Sequence, residues 1–335
     1  MLDQNQRPSP IEPTVDLDAD GVQHGFLRLP FSRVDSAWGS VMIPICVIRN
    51  GSGPTALLTG GNHGDEYEGP LALYELARTL RPEEVSGSVI IVPALNYPAF
   101  RAGTRTSPID RGNMNRSFPG RPDGTVTEKI ADYVTRHLLT RADIVLDFHS
   151  GGRTLDLVPF CAAHVLPDKA QERQAFAAVE AFSAPYSVRM LEIDAVGMFD
   201  TAAEEMGKVF ITTELGGGGT ARAETVRIAR RGVTNVLRHT GIVAGTVETA
   251  PTSWLDMPSA DCFSFAEEDG MIETMIDLGD KVAAGMVVAR VHGTGRTGVA
   301  PQEIRAKMDG ILAARHFPGL VKAGDCAAVV AVREG

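Results

Sequence analysis

Four short runs of β-branched and aliphatic residues set the strongest limit on what this chain can fold into: residues 55–59 (TALLT), 88–92 (SVIIV), 143–148 (DIVLDF) and 209–214 (VFITTE). Each has the length of one strand and is bounded by turn formers, the pattern of strands buried within a sheet. Helical patterns lie between and around them, at 70–80, 125–139, 168–182 and 223–240, with apolar residues three and four apart. Strands that alternate with helices imply an α/β sheet covered on both faces.

In such sheets ligands gather where strands end and loops enter helices. The polar clusters of this chain fall at those places. GGNHGDE (60–66) follows the first run, His149-Ser150-Gly151-Gly152 ends the third, and Glu214 with four glycines behind it closes the fourth. Three distant segments are therefore expected to converge on one site.

After about residue 250 helical periodicity gives way to short Val/Ala/Ile runs between Gly-Asp and Asp-Gly turns. Asp269-Gly270, then Gly279-Asp280 with MVVARV behind it, is echoed by Asp309-Gly310, then Gly324-Asp325 with AAVVAV behind it. The halves lie about 40 to 45 residues apart, as in a small barrel or sandwich of two related parts. The expected organisation is an N-terminal extension (1–21), a catalytic α/β domain (22–250) and a C-terminal all-β domain (251–335); 335 residues exceed what one compact core usually carries.

Charge narrows the partners. With 42 acidic against 32 basic residues the net charge is -10, which argues against a nucleic-acid binder and for a small-molecule partner. The four cysteines are scattered and read as reduced, buried thiols. The first twenty residues carry acids and prolines where a signal peptide needs a basic start and an apolar run. No segment offers the roughly 18 consecutive apolar residues that span a bilayer. A cytoplasmic enzyme, away from membranes, is expected; a symmetric homodimer stays open on base rates alone.

His63 and Glu66 stand in H-x-x-E directly after a strand, among Gly60, Gly61 and Gly64. Residues three apart on a helical turn share a face, so an imidazole and a carboxylate there can grip one ion. With His149 as a distant third ligand and a fourth place for water, the pattern is that of a catalytic zinc site, one ion per chain. H-x-x-E alone is common, and a strand-end histidine can serve only its loop; the glycine-rich strand ends and the Asp147-Phe-His motif favour metal. Glu214, against a loop with no side-chain bulk, suits a base that takes a proton from water and returns it to a leaving nitrogen. The alternative is an acid that caps the glycine loop.

The stretch 101–121 carries five arginines against one acid, Asp110, inside an acidic chain. Guanidinium forks bind carboxylates, so Asn115 and Arg116 read as ligands of a substrate carboxylate and Arg105 as a stabiliser of an oxyanion. A solvated arginine loop is the bland alternative.

At GGNHGDEYEG (60–69), GTRTSPIDRGNMNRSFPG (103–120), DFHSGG (147–152) and TELGGGG (213–219) the chain resembles the succinylglutamate desuccinylase and aspartoacylase family, a branch of the zinc carboxypeptidase-like fold. The four blocks match in order and spacing across most of the chain. The resemblance implies a mixed sheet flanked by helices, zinc on His63, Glu66 and His149, Glu214 as base, substrate contacts at Arg105, Asn115 and Arg116, and hydrolysis of an N-acyl amino acid. Overall likeness narrows the substrate to an N-α-acetylated 2,4-diamino acid, as in ectoine degradation. A free ammonium on it needs an acidic partner, for which Glu192 and Asp194 are the candidates. Where the family often has D-L-N-R, this chain has Asn113-Met114-Asn115-Arg116. The β domain resembles biotinyl and lipoyl carriers, but Lys307 stands before its Asp-Gly turn and not in a hairpin. A succinylglutamate desuccinylase/aspartoacylase-type deacylase of another amino acid, a carboxypeptidase-like peptidase and a non-catalytic carrier or binding module are the rival readings.

Overall fold

The protein is described here by a computed structural model that covers residues 7–190 and 195–333. The chain opens with β1 (Glu12–Pro13), β2 (Gly21–Pro30) and β3 (Ser40–Asn50). The alternation follows: β4 (Thr55–Gly60), α1 (Glu68–Thr79), β5 (Gly87–Val92), α2 (Tyr97–Ala102), α3 (Val126–Tyr133), β6 (Ile144–His149), β7 (Leu155–Leu157), β8 (Phe160–His164), α4 (Lys169–Phe182), β9 (Tyr186–Met190), α5 (Phe199–Glu205), β10 (Val209–Glu214) and α6 (Ala223–His239). The four expected strands and the helices at 168–182 and 223–240 are present within a residue or two. The pattern at 125–139 splits, α3 passing into a π-helical segment, Val134–Leu139. Among the described residues no helix is long and apolar enough to cross a membrane.

The sheet is mixed. Its order runs β1-β2-β3-β5-β4-β6-β10-β8-β9 and on into the C-terminal strands. The four inner strands β5, β4, β6 and β10 are mutually parallel, so their carboxyl ends share one edge. Antiparallel β3 and β8 flank them. Residues 13–16 lie along the outer edge of β2, where Gln23 exchanges hydrogen bonds of 2.9 and 2.7 Å with the Asp16 backbone, so that edge is not left open for other strands.

Two cores lie on the two faces of the sheet. Ile144, Leu146 and Phe148 of β6 pack with α1, α4 and α6, whereas Val145 points to the opposite side with α3 and α5. Period-two alternation thus puts Val145, Asp147 and His149 on one face of β6, and Phe210, Thr212 and Glu214 on the matching face of β10. Along both strands this face starts apolar and turns polar toward the carboxyl end.

The C-terminal strands are β11 (Ser253–Asp256), β12 (Phe263–Phe265), β13 (Gly270–Thr274), β14 (Lys281–Val282), β15 (Val287–His292), β16 (Gln302–Arg305), β17 (Gly310–His316), β18 (Leu320–Val321) and β19 (Cys326–Arg333). The last eight form two four-strand repeats. Every pairing occurs twice: β12 with β19 and β16 with β15, β13 with β15 and β17 with β19, β13 with β18 and β17 with β14. Register fixes the correspondence, because Gly270 faces Val321 and Gly310 faces Val282. Gly324 therefore corresponds to Gly285 and not, as the sequence suggested, to Gly279. Both donate their N–H across the repeat, Gly285 to Ala306 and Gly324 to Ala266, each at 2.8 Å. The two Asp-Gly turns also answer one another: Asp309 Oδ1 accepts from Ala284 N at 2.8 Å, and Asp269 Oδ1 from Ala323 N at 2.9 Å.

Among the described residues, only the second repeat also pairs with strands from the rest of the molecule. β19 joins β11, which runs beside β9, and β17 takes β7 as an extra antiparallel neighbour.

Candidate active site

Parallel register places the key side chains next to one another. His149 and Glu214 are paired positions on β6 and β10, and Gly60 at the end of β4 is paired with Phe148. The loop after Gly60 then delivers His63 and Glu66. It packs tightly enough that a Cβ on Gly64 would lie 2.0 Å from the Ala99 carbonyl carbon, so that position needs glycine.

His63 Nδ1 lies 2.7 Å from Glu66 Oε1, and His149 Nδ1 lies 2.9 Å from Glu66 Oε2. All three residues are buried, with donor atoms within 4.8 Å of one another. The other nitrogen of each ring is engaged from behind. His149 Nε2 donates to Asp147 Oδ2 at 2.8 Å, and His63 Nε2 to Asn113 Oδ1 at 3.2 Å. Asp147 is itself fixed by Thr59 Oγ1 at 2.6 Å and Asn62 Nδ2 at 2.9 Å. Outer partners of this kind set the tautomer and direct both Nδ1 lone pairs inward. Two inward lone pairs against a carboxylate require a proton or a cation between them, and this donor set fits a divalent transition metal such as zinc.

The electrostatics agree. Burial works against an ionised Glu66, but the two imidazoles outweigh it and hold the carboxyl far below its ordinary range. Burial likewise opposes a charged His149, yet Asp147 and Glu66 on either side raise it well above its usual value. His63 is lowered, chiefly by burial.

Glu214 faces a cavity of about 170 Å³ lined by His63, His149, Arg105, Asn115 and Arg116 among others. Its Oε2 is shielded and has no hydrogen-bond partner. Burial, reinforced by the charge of Glu66, pushes its pKa up to about 8. A carboxylate so placed gains a proton readily. Behind it, positions 216–219 all have positive φ, and a Cβ on Gly217 would sit 2.0 Å from the Leu155 carbonyl oxygen. The glycine run lets the chain turn away between β10 and β7 with no side chain in the cavity.

The arginine loop divides by role. Arg105 Nη1 reaches to 3.6 Å from Glu66 Oε1 at the rim. Asn115 Oδ1 accepts from the Phe199 N–H at 2.9 Å, and Arg116 Nη1 donates to the Asn115 carbonyl at 2.6 Å. Asp110, the loop's one acid, faces away from the metal donors: it accepts from Thr127 N and Oγ1 at 2.7 and 2.8 Å and from Gly112 N at 3.0 Å, which ties the loop to α3. Glu192 and Asp194 lie outside the described residues. Sequence reasoning left out three polar residues of this neighbourhood, Asn113, Asp200 and Thr212. A further buried acid, Glu68 in the first turn of α1, is pushed up to about 7 by burial.

Residues 52–240 match the family model described as the succinylglutamate desuccinylase/aspartoacylase catalytic domain. The chain belongs to the succinylglutamate desuccinylase/aspartoacylase family. It is 58% identical over 97% of its length, and 96% of the relative's, to a protein of Halomonas elongata named N-alpha-acetyl-L-2,4-diaminobutyric acid deacetylase. Among solved structures it resembles the product-bound ectoine utilization protein EutE (DoeB) from Ruegeria pomeroyi, with 64% identity, a TM-score of 0.96, and coverage of 98% of this chain and 100% of that one. A succinylglutamate desuccinylase/aspartoacylase from Rhodobacter sphaeroides follows at 42% identity and a TM-score of 0.93, over 98% of this chain and 100% of its own. Within the matched residues, the amide oxygen of Asn113 holds the ring of His63.

Proposed function

We propose that this family member removes the acetyl group of N-α-acetyl-L-2,4-diaminobutyrate, giving acetate and L-2,4-diaminobutyrate, in ectoine degradation. The reading is carried by one arrangement: a buried His63, Glu66, His149 donor set faces Glu214 across a cavity whose rim holds arginines. The names of the Halomonas elongata and Ruegeria pomeroyi relatives support the substrate. We also propose zinc as the ion, one per chain, residues 22–250 as the catalytic unit, 251–335 as its β partner and 1–21 as an extension, in a cytoplasmic enzyme.

Bound zinc would supply Lewis acidity toward the acyl carbonyl and toward water. The rest falls to side chains. Glu214 accepts a proton from the attacking water as the water oxygen bonds to the carbonyl carbon; when the C–N bond breaks, Glu214 returns that proton to the leaving nitrogen. The Arg105 guanidinium faces the negative charge that grows on the acyl oxygen. Asn115 and Arg116 hold the α-carboxylate and so fix the amide opposite Glu214.

The test is a zinc-loaded preparation assayed on N-acetyl, N-succinyl and N-formyl amino acids, diaminobutyrate derivatives included. Acetyl-diaminobutyrate should be turned over fastest, and Glu214→Gln should keep its zinc while activity falls about 10²- to 10⁴-fold. Near-normal turnover by that variant would put the base elsewhere. Faster cleavage of peptides would favour a carboxypeptidase instead.

A further inference from the structure

We propose that Asp156 is a positioning residue for Glu214: paired with Arg222 and Arg315, it fixes the short strand to which the loop behind the base is hydrogen-bonded. This rests on the reading of Glu214 as base given above and adds what holds that base in place.

The loop has no side chains with which to hold itself. Positions 216–219 are all glycines with positive φ, so their backbone has the widest range of states to lose on folding. Order must come from the segments beside them. The Gly216 carbonyl accepts from Gly151 N at 3.0 Å and from Leu157 N at 3.2 Å; Gly218 N donates to the Leu155 carbonyl at 3.1 Å and Gly219 N to the Gly152 carbonyl at 2.6 Å. Two of these bonds end on β7, at the residues on either side of Asp156. Only Leu215 separates Glu214 from Gly216, so a shift of β7 is passed to the base through one residue.

Three residues make a strand too short to stay in place by its own pairing. Asp156 supplies the further attachment. It is only 3% exposed; its Oδ1 accepts from Arg222 Nη2, and its Oδ2 from Arg315 Nη2 at 3.4 Å. Arg222 stands directly before α6, and Arg315 is the residue paired with Asp156 across β7 and β17. One buried carboxylate thus joins β7, the start of α6 and the C-terminal repeats.

Both arginines also border the glycine run. A Cβ on Gly216 would have Arg222 Nη2 at 3.9 Å and Thr225 Cγ2 at 3.4 Å. The Arg315 guanidinium lies 6.0 Å from the centre of the Phe317 ring, and that ring fills the space beside Gly218, where a Cβ would come within 2.6 Å of it. Neutralising Asp156 leaves two guanidinium groups without their shared partner, and the walls on both sides of the loop lose their anchor. A base displaced by about 1 Å from its water loses on the order of 10²-fold in rate.

The experiment measures kcat, KM and bound zinc on N-α-acetyl-L-2,4-diaminobutyrate for Asp156→Asn and Arg222→Met, each made in the zinc-loaded wild type and in Glu214→Gln. With Glu214 present, each substitution should lower kcat about 10- to 100-fold, with KM within about threefold and zinc unchanged. Arg222→Lys, which keeps the charge, should recover most of the loss. In Glu214→Gln the same substitutions should change the remaining rate by less than about twofold, because a residue that acts through the base has nothing left to act on. Equal losses in both backgrounds, or losses that fall on KM or zinc instead, would overturn the proposal. So would a wild-type kcat in Arg222→Met, a result that decides the matter even if Asp156→Asn does not fold. Those results leave the deacylase reading standing; near-normal turnover by Glu214→Gln, or none by the wild type, removes that reading and this proposal with it.

Discussion

The carboxyl edge of the inner strands and the C-terminal β repeats are held together in opposite ways. In the repeats the Asp-Gly turn contact is made twice, so that Asp269 with Ala323 mirrors Asp309 with Ala284. At the strand edge no contact has a double: one carboxylate serves two imidazoles, one amide oxygen steadies a ring, and Glu214 Oε2 is buried without a partner. Duplicated and satisfied contacts make a scaffold. Single, strained-for-charge contacts make a place where a proton or an ion changes the energy.

The contrast breaks most sharply at the metal donors. His149→Ala should abolish stoichiometric zinc in elemental analysis and lower activity by at least the 10²- to 10⁴-fold that loss of a base alone would bring. Retained zinc would mean that the donor set is wrong. Asp147→Asn touches only the support of one ring, and about 10- to 100-fold weaker zinc binding is expected, read by competition with a chelator.

A smaller effect appears in pH. Glu214 and Glu68 are held near 8 and 7, above their ordinary value of 4.5. An acid raised on folding binds its proton more tightly in the folded state. Its stabilising contribution is therefore full below about 4.5 and is lost as pH climbs through the folded pKa. Metal-free protein should lose Tm between pH 5 and pH 8, and Glu214→Gln should flatten that decline; parallel curves would show that the charge costs nothing at this position. In the repeats, Asp269→Asn and Asp309→Asn should each cost about 1 kcal/mol or less, equally, with kcat untouched. A clear inequality between them would break the symmetry.

Much of the strand edge was legible in the residues. β4, β5, β6 and β10 are buried on both faces and read as continuous apolar runs, and the polar groups at their ends could be placed without knowing the sheet order. β2 and β3 escaped because one carries polar residues at alternate positions and the other has Pro44 within it. β8 and β9 are five residues each, with small or polar side chains that give no run. Asp147 offered a usable sign, since residues two apart on a strand share a face with His149. Asp200 offered none: it reaches the cavity because the start of α5 is laid on the arginine loop, a contact between segments with more than eighty residues between them. The repeat was visible but misaligned, because Gly-Asp pairs drew the eye while the register follows Gly285 and Gly324.

The pairing of β7 with β17 reaches further than its three residue pairs suggest. Leu155 begins β7, and its carbonyl accepts the Gly218 N–H at 3.1 Å, while Leu157 N–H donates to Gly216 at 3.2 Å. The loop behind Glu214 is therefore stitched to a strand whose far side is stitched to the C-terminal repeats. Cutting the chain near residue 250 would strip β9 of β11 and β7 of β17, and leave raw strand edges at both places. Melting of the C-terminal repeats and loss of hydrogen-exchange protection at positions 216–219 should then be one event, so that the lifetime of the glycine loop is set by strands more than ninety residues further along the chain.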